Sequence, residues 1–129
     1  MLNIQHIHHV AILTDNYELS KQFYTEVLGF EIIAEVYREE RQSYKLDLSV
    51  NGVYQIELFS FPEFRERASF PEAKGLRHLA FAVKDVDAAY AYLKSKNVDV
   101  QEVRIDEFTG KRFLFFYDPN GQPLEFYEI

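Results

Sequence analysis

Two histidines and two glutamates lie at corresponding places in two halves of this 129-residue chain, each in a short apolar segment typical of a β-strand. Glu125 follows Glu57 by almost the same separation as His78 follows His9. A module that supplies one imidazole and one carboxylate, present twice, offers four nitrogen and oxygen ligands to one divalent cation and leaves room for water or substrate. The sequence therefore predicts a metal-dependent enzyme.

The two histidines are predicted to share a face with small side chains. Because strand residues alternate between faces, His9 shares its face with Ala11. His78 likewise shares its face with Ala80 and Ala82. The bulkier residues between them suit packing under helices, and the alanine side leaves space for a ligand cavity.

The two glutamates each interrupt an apolar strand, Glu57 in YQIELF and Glu125 in PLEFYE. A buried lone carboxylate is costly, so each must be exposed, paired or bound to a cation. One His or Glu on a half-exposed strand is most often an ordinary surface or hydrogen-bonded residue. The matched placement of all four favours metal binding. His6 and His8 have no counterparts in the second half and are interpreted as surface residues or outer neighbours of the site.

Local patterns predict two copies of one βαβββ module. In the first copy, Asp15 with Glu18 three residues later has the spacing of a capping box at a helix start, and Gly29 ends that helix. In the second copy, Asp85 is the predicted N-cap and Asn97 closes the helix. The predicted strands are 7–13, 31–38, 43–50 and 53–60, then 76–83, 98–105, 111–117 and 122–128, with Asn51-Gly52 and Asp118-Pro119-Asn120-Gly121 as turns.

These elements predict an α+β fold in a single domain, 1–129, made of two modules at 1–60 and 76–129. The linker, 61–75, is rich in charge and proline, and a short helical turn is expected within it. Its basic residues Arg65, Arg67 and Lys74 could reach a substrate carboxylate, or the segment could be only a solvated connection.

Composition excludes several classes of function. The chain has no cysteine, so disulfides, thiolate ligands and a cysteine nucleophile are excluded. A net charge of −7 with scattered basic residues argues against nucleic acid as a partner. The N-terminal segment lacks a signal-peptide pattern, and no segment approaches the roughly 20 apolar residues of a membrane span. We therefore expect a cytoplasmic protein that does not bind membranes.

Four segments resemble the vicinal oxygen chelate superfamily, which includes glyoxalase I, epimerases, extradiol dioxygenases, fosfomycin-resistance proteins and bleomycin-binding proteins. The segments are HHVAILTDNYELSKQFYTEVLGFE, YQIELFSFP, GLRHLAFAVKDVDAAYAYL and FYDPNGQPLEFYE. The resemblance implies paired βαβββ modules that form a curved mixed sheet around a metal site. It also implies that His9, Glu57, His78 and Glu125 are the metal ligands.

The full His, Glu, His, Glu set looks most like glyoxalase I (lactoylglutathione lyase). The resemblance then implies a metal-dependent lyase or isomerase that moves a proton next to a carbonyl, with the hemithioacetal of methylglyoxal and a thiol as substrate. Glu125 and Glu57 are the implied catalytic bases, and the order in which they act stays open. The implied cofactor is one divalent ion, Ni, Zn or Co, or alternatively Fe or Mn, and the implied assembly is a homodimer with the site within a chain or across the dimer.

Two alternatives stay open. One is another metalloenzyme of the superfamily, an epimerase, thiol transferase or dioxygenase, because one scaffold hosts several reactions. The other is a non-catalytic protein that binds a small molecule or antibiotic. Substrate carboxylates would need cationic partners, and the basic residues considered for this role are Arg38, Arg41, Lys45, Arg77, Lys111 and Arg112.

Overall fold

The same order of elements occurs twice in the computed structural model, which describes residues 1–129. The first set is β1 (Val10–Thr14), α1 (Tyr17–Gln22), a π-helical segment (Phe23–Val27), β2 (Glu31–Arg38), a 3-10 turn (Glu39–Arg41), β3 (Ser43–Val50) and β4 (Val53–Ser60). The second set is β5 (Leu79–Val83), α2 (Val86–Ser95), β6 (Arg104–Ile105), β7 (Arg112–Tyr117) and β8 (Pro123–Glu128). The predicted α+β class with two βαβββ modules is confirmed. Neither helix has the length and apolar character needed to cross a membrane.

The strands form two four-stranded mixed sheets of matching topology, ordered β1-β4-β3-β2 and β5-β8-β7-β6. β1 pairs with β4, and β5 with β8, in parallel. A parallel pair needs a long crossover, which each helix begins. The chain divides into unit 1, Met1–Arg65, and unit 2, Glu66–Ile129, so the division falls inside the segment predicted as a linker. That segment contains turns and bends and none of the helix expected there.

Unit 1 departs from the sequence prediction at its helix start. Asn16, not Asp15, is the N-cap, because its side-chain oxygen accepts a hydrogen bond from the backbone N–H of Leu19 at 3.1 Å. The turn Asn51-Gly52 is confirmed: both residues have positive φ, 50° and 83°, as a two-residue hairpin turn requires.

The core of unit 1 lies between its helix and one face of its sheet. Ile12 and Thr14 on β1 are buried, whereas Ala11 and Leu13 on the other face are exposed, as the alternation predicted. Most of the remaining core comes from β3 and β4 with one aromatic residue of the helix: Leu46, Leu48, Ile56, Leu58 and Tyr24, each at most 2% exposed. The exposed face is the one that the site residues share.

Unit 2 follows the prediction at its helix and departs from it afterwards. The side chain of Asp85 caps α2 through the backbone N–H of Ala88, and Asn97 ends the helix with a φ of 58°. The strand predicted at 98–105 is wrong over most of its length. Only Arg104–Ile105 forms a regular strand, and Val100 makes a single isolated bridge to Phe116.

A three-residue cluster in unit 1 gives a pH-dependent stability. Lys21 Nζ lies 2.8 Å from Glu35 Oε2, Tyr17 donates its hydroxyl to the same oxygen at 2.5 Å, and these contacts hold the pKa of the Glu35 carboxyl below its usual value. Because this pKa is lower in the folded state, the stabilisation is present above the unfolded pKa of about 4.3 and is lost as pH falls through the folded value.

We therefore expect Glu35→Gln to lower the free energy of unfolding at pH 7. The expected loss is only about 0.5–1 kcal/mol, because the Lys21 and Glu35 side chains are partly exposed and water weakens their attraction. The difference from the unsubstituted protein should narrow as pH falls towards about 3. Urea unfolding at several pH values measures this. Glu31→Gln, an exposed carboxylate on the same strand, is the matched control. A difference that stays constant across pH would contradict the prediction.

Candidate metal centre

The first histidine and glutamate pair is formed where β1 begins beside β4. Glu57 on β4 lies opposite Ala11 on β1 in the parallel pairing, and His9 comes two residues before Ala11. His9 directly precedes β1 instead of lying within a strand at 7–13 as predicted, because pairing with β4 starts at Val10. The distance between His9 Nε2 and Glu57 Oε2 is 3.4 Å. The Glu57 side chain is 11% exposed and the His9 side chain 39%, so the pair lies at an opening to solvent.

Unit 2 repeats this arrangement. Glu125 lies opposite Ala80 in the parallel pairing of β5 with β8, and His78 stands two residues before that alanine. His78 also directly precedes its strand, which begins at Leu79 and not at 76. His78 Nε2 and Glu125 Oε1 are 3.7 Å apart, with side-chain exposures of 37% and 12%. The two units thus place the same two residue types in the same register with similar exposure.

Polar groups surround the Glu57 carboxylate. Tyr54 donates its hydroxyl to Glu57 Oε2, and burial together with Glu57 and Asp47 raises the pKa of Tyr54. Lys45 Nζ is 2.5 Å from Asp47 Oδ1 and 3.8 Å from Glu57 Oε2. Register explains the cluster, because Asp47 on β3 lies opposite Glu57 on β4. Glu57 is therefore held by a hydrogen bond and a cation of its own sheet.

His8 contacts the site although it has no counterpart in unit 2. Its Nδ1 is 2.9 Å from Nδ1 of His9, so one ring donates and the other accepts. Both rings also contact Tyr54, at centroid distances of 5.2 and 5.8 Å. A partner at Nδ1 orients the His9 ring and leaves Nε2, the atom that faces Glu57, as the site for a metal.

The Glu125 carboxylate has a different environment. It accepts no hydrogen bond, and its neighbours are His78, the Phe115 ring opposite it on β7, Arg104 and Asp106. Burial raises the pKa of Glu125, His78 and Arg104 oppose that rise, and the negative charge of Asp106 adds to it. Unlike Glu57, Glu125 is not fixed by a donor on its own sheet.

Each pair has the geometry of two ligands of one metal ion. Ligand atoms about 2.1 Å from a shared ion, at angles of about 90–125°, lie about 3.0–3.7 Å apart. The observed separations, 3.4 and 3.7 Å, fall in this range and are long for direct hydrogen bonds. Two imidazoles and two carboxylates also suit the charge of a divalent cation.

Each unit brings together two of the four predicted ligands. No group of three or more His, Cys, Asp or Glu side chains is positioned to hold a metal ion. The sharing of one ion by His9, Glu57, His78 and Glu125 stays a prediction.

The linker arginine Arg67 has a structural role. Its guanidinium donates to Ser69 Oγ, to Gln122 Oε1 and to the backbone carbonyls of Leu76 and Arg77, at 2.8–3.1 Å. These four bonds tie the segment before β5 to the turn before β8 and occupy the donors that a substrate carboxylate would need. Arg65 and Lys74, the other two basic residues of the segment, are exposed.

Most of the other basic residues considered from the sequence have protein partners. Arg112 pairs with Asp87 at 2.5 Å, and Arg38 donates to Ser43 and stacks on Phe59. Arg41 and Lys111 are exposed. Lys45 lies beside Glu57, as described, and Arg77 lines a hollow in unit 2.

That hollow, of about 530 Å³, opens beside His78 and is lined by Arg77, Arg104, Phe70, Phe115 and Tyr117 among others. Sequence reasoning missed Arg104, because it lies in a segment read as an ordinary strand. Its place next to Phe113, a neighbour on β7, is visible only once the β6–β7 register is known. The signal that could have found it is an arginine, Arg104, shortly before a strand rich in aromatic residues, β7.

Comparison with known proteins agrees with this fold. The sequence-family model of the Glyoxalase/Bleomycin resistance protein/Dioxygenase superfamily matches residues 6–126 of the chain. The chain belongs to this superfamily, also called vicinal oxygen chelate.

Its similar relatives include the uncharacterized protein YaeR of Escherichia coli (strain K12), 57% identical over 99% of both chains. The uncharacterized protein YwkD of Bacillus subtilis (strain 168) is 57% identical over 97% of this chain and 98% of the relative. A solved glyoxalase family protein from Enterococcus faecalis is 46% identical, covers 96% of this chain and 98% of its own, and superposes with a TM-score of 0.89. More distant relatives include a 2-epi-5-epi-valiolone epimerase and a metallothiol transferase FosB, 29% and 26% identical.

Proposed function

We propose that the protein is a glyoxalase-I-like, metal-dependent lyase or isomerase that transfers a proton next to a carbonyl, as in the lactoylglutathione lyase reaction. The observation that carries the proposal is the repeated pair: one His Nε2 and one Glu oxygen, 3.4 and 3.7 Å apart, in the same register of two sheets. His9, Glu57, His78 and Glu125 would together hold one divalent ion, Ni, Zn, Co, Fe or Mn. The two pairs that hold the ion would belong to one chain or to the two chains of a homodimer. The proposal also includes a cytoplasmic location.

Glu125 is the base that removes the first proton in this proposal. When bound, the divalent ion would polarise the substrate carbonyl and stabilise negative charge on its oxygen. Glu125 has no hydrogen-bond donor to hold it, and its burial raises the pKa of the carboxyl, which brings it closer to the value that suits a base near neutral pH. It takes the proton from the carbon next to the carbonyl and returns it to the neighbouring carbon.

Glu57 has the complementary role of a fixed ligand. The Tyr54 hydroxyl donates a hydrogen bond to its carboxylate and holds it in place. A base that carries a proton from one carbon atom to the next must move, and such a hydrogen bond restricts that movement. A metal ligand benefits from the same hydrogen bond, because it keeps the oxygen atom in position. The unequal surroundings thus divide the work between two glutamates that the sequence leaves equivalent.

The direct test is elemental analysis of protein purified without a chelating tag, followed by assay of the metal-loaded form with methylglyoxal and glutathione or another thiol. We expect a bound divalent ion and the appearance of thioester absorbance. Loaded protein that forms no thioester with any thiol hemithioacetal would contradict the lyase proposal.

The names of the distant relatives favour a second candidate within the same class. An epimerase and a metallothiol transferase share the scaffold, so proton transfer at a chiral carbon or thiol addition are the alternative reactions. Iron dependence with oxygen uptake would instead indicate a dioxygenase. Tight binding of a small molecule by protein without metal would indicate a binding protein.

Lys45 should weaken metal binding, because its ammonium lies 3.8 Å from a ligand oxygen. We expect Lys45→Met to tighten Ni or Zn binding about tenfold, since it removes a positive charge beside the proposed cation and frees the Asp47 carboxylate. Isothermal titration with each metal measures the change. Lys21→Met, which removes the same charge at Glu35 in the same unit, is the control and should change affinity less than about twofold. Equal affinities for Lys45→Met and the unsubstituted protein would contradict the proposed position of the ion.

A further inference from the structure

The hollow beside His78 carries positive charge in a chain that is negative overall. Its lining contains two arginines, Arg77 and Arg104, and no aspartate or glutamate, although the chain has a net charge of −7. Glu72, which is not part of the lining, lies 3.8 Å from Arg77. Phe70, Phe115 and Tyr117 supply apolar walls, and the volume of about 530 Å³ suits a small molecule. Such a lining favours a ligand with one anionic group and one apolar part.

Arg104 is the guanidinium in this hollow with free hydrogen-bond donors. Its Cζ lies 5.1 Å from the Phe113 ring centroid and 5.3 Å from that of Phe115, and it makes no hydrogen bond or ion pair. The other arginines of unit 2, Arg67, Arg77 and Arg112, all donate to or pair with protein groups. Two rings therefore contact the Arg104 guanidinium while its N–H groups stay available.

Arg104 also lines two hollows, the one that contains His78 and a second one, of about 310 Å³, that contains Glu125. Asp106 and Glu107 also line the second hollow, so an anion is favoured in the first. An anion bound there by Arg104 would share the hollow with His78. The same hydrogen-bonding fork suits a carboxylate and a phosphate.

We propose that Arg104 binds an oxyanion, a carboxylate or a phosphate, carried by the substrate of this site. Arg77 adds a second positive charge, and the aromatic walls take the apolar part of the molecule. The substrate class is a small anionic compound, which deepens the proposed function and rests on it for the reaction. Anion binding itself needs only the residues of unit 2.

The test uses metal-free protein, so that it does not depend on the enzyme activity. Phenylacetate and phenyl phosphate are the anionic probes, 2-phenylethanol is the neutral probe, and ligand-observed NMR measures binding. We expect at least one anionic probe to bind more than about tenfold more tightly than the neutral one. The probe that binds identifies the anion as carboxylate or phosphate.

Variants then assign the binding to this residue. Arg104→Met should weaken binding of the anionic probe about tenfold. Arg104→Lys should weaken it about threefold, because a lysine keeps the charge but loses the paired N–H donors and the contact with the rings. Arg41→Met removes the same charge from an exposed position of unit 1 and should change binding less than about twofold. Circular dichroism confirms that each variant is folded.

Two results would overturn the proposal: anionic probes that bind no better than 2-phenylethanol, or an Arg104→Met protein that binds them as tightly as the unsubstituted one. Anion binding that depends on Arg104 in a protein with no metal-dependent activity supports this proposal and contradicts the proposed function. Metal-dependent activity in a protein that binds no anionic probe supports the proposed function and contradicts anion binding by Arg104.

Discussion

Replacing Glu125 by Gln is expected to lower kcat about 10³-fold for proton transfer next to a carbonyl, at saturating metal. The amide keeps the shape of the side chain and an oxygen for the metal, but it cannot accept the proton. Because this glutamate lacks a hydrogen-bond donor and burial raises the pKa of its carboxyl, we expect it to be the one that exchanges protons with substrate. Steady-state rates measure the loss, and incorporation of solvent deuterium into substrate and product measures the proton step itself.

Glu57→Gln is the matched comparison for that experiment. The Tyr54 hydroxyl holds Glu57 in place as a proposed ligand, so replacing Glu57 should weaken metal binding and, once metal is saturating, lower kcat by about tenfold only. Deuterium exchange should persist in Glu57→Gln and be lost in Glu125→Gln. The opposite pattern would assign the base to Glu57 and would show that the hydrogen-bonding environment does not divide the two roles.

The second large effect concerns the metal. His9→Ala and His78→Ala should each weaken Ni or Zn binding by more than about 100-fold, because each removes one of four proposed ligands. Isothermal titration and elemental analysis of the purified proteins provide readouts that do not depend on activity. Both variants should lose affinity to a similar extent, since the two histidines stand in the same register with similar exposure.

His6→Ala is the control for the histidine variants, because His6 is exposed and belongs to neither pair. Its metal affinity should stay within about twofold of the unsubstituted protein. If only one of His9→Ala and His78→Ala loses metal, the two pairs do not share one ion, and the four-ligand proposal fails. If neither variant loses metal, the ion binds elsewhere.

The contrast between the two units has a simple physical origin. Backbone register places a glutamate opposite an alanine in both, which fixes the pair itself. The strand on the other side of each glutamate then supplies different neighbours, Asp47 in unit 1 and Phe115 in unit 2. A repeated fold thus keeps the same His and Glu pair while its surroundings differ, and this difference is the basis of the roles proposed for the two carboxylates.

The sequence by itself determined the α+β class, the βαβββ order and the residues of the two pairs. Those features follow from local rules: period-two alternation put Ala11 and Ala80 on the exposed face, and Asp85, Asn97 and Asn51-Gly52 are signals read within a few residues. The predicted helix start at Asp15 was wrong because Asp15 and Asn16 offer equivalent capping signals, which only backbone geometry distinguishes. The strand predicted at 98–105 was wrong over most of its length because its extent depends on pairing with β7.

Only the tertiary structure decided the surroundings of the two carboxylates. Tyr54 and Lys45 reach Glu57, and Arg104 stacks beside Glu125, through the register of strands that no local pattern specifies. Sequence spacing shows which residue types are present, whereas hydrogen bonding, burial and charge at an atom depend on groups brought together from distant positions. The residue types of the two pairs were therefore readable from the chain, whereas the different environments of the two carboxylates required the fold.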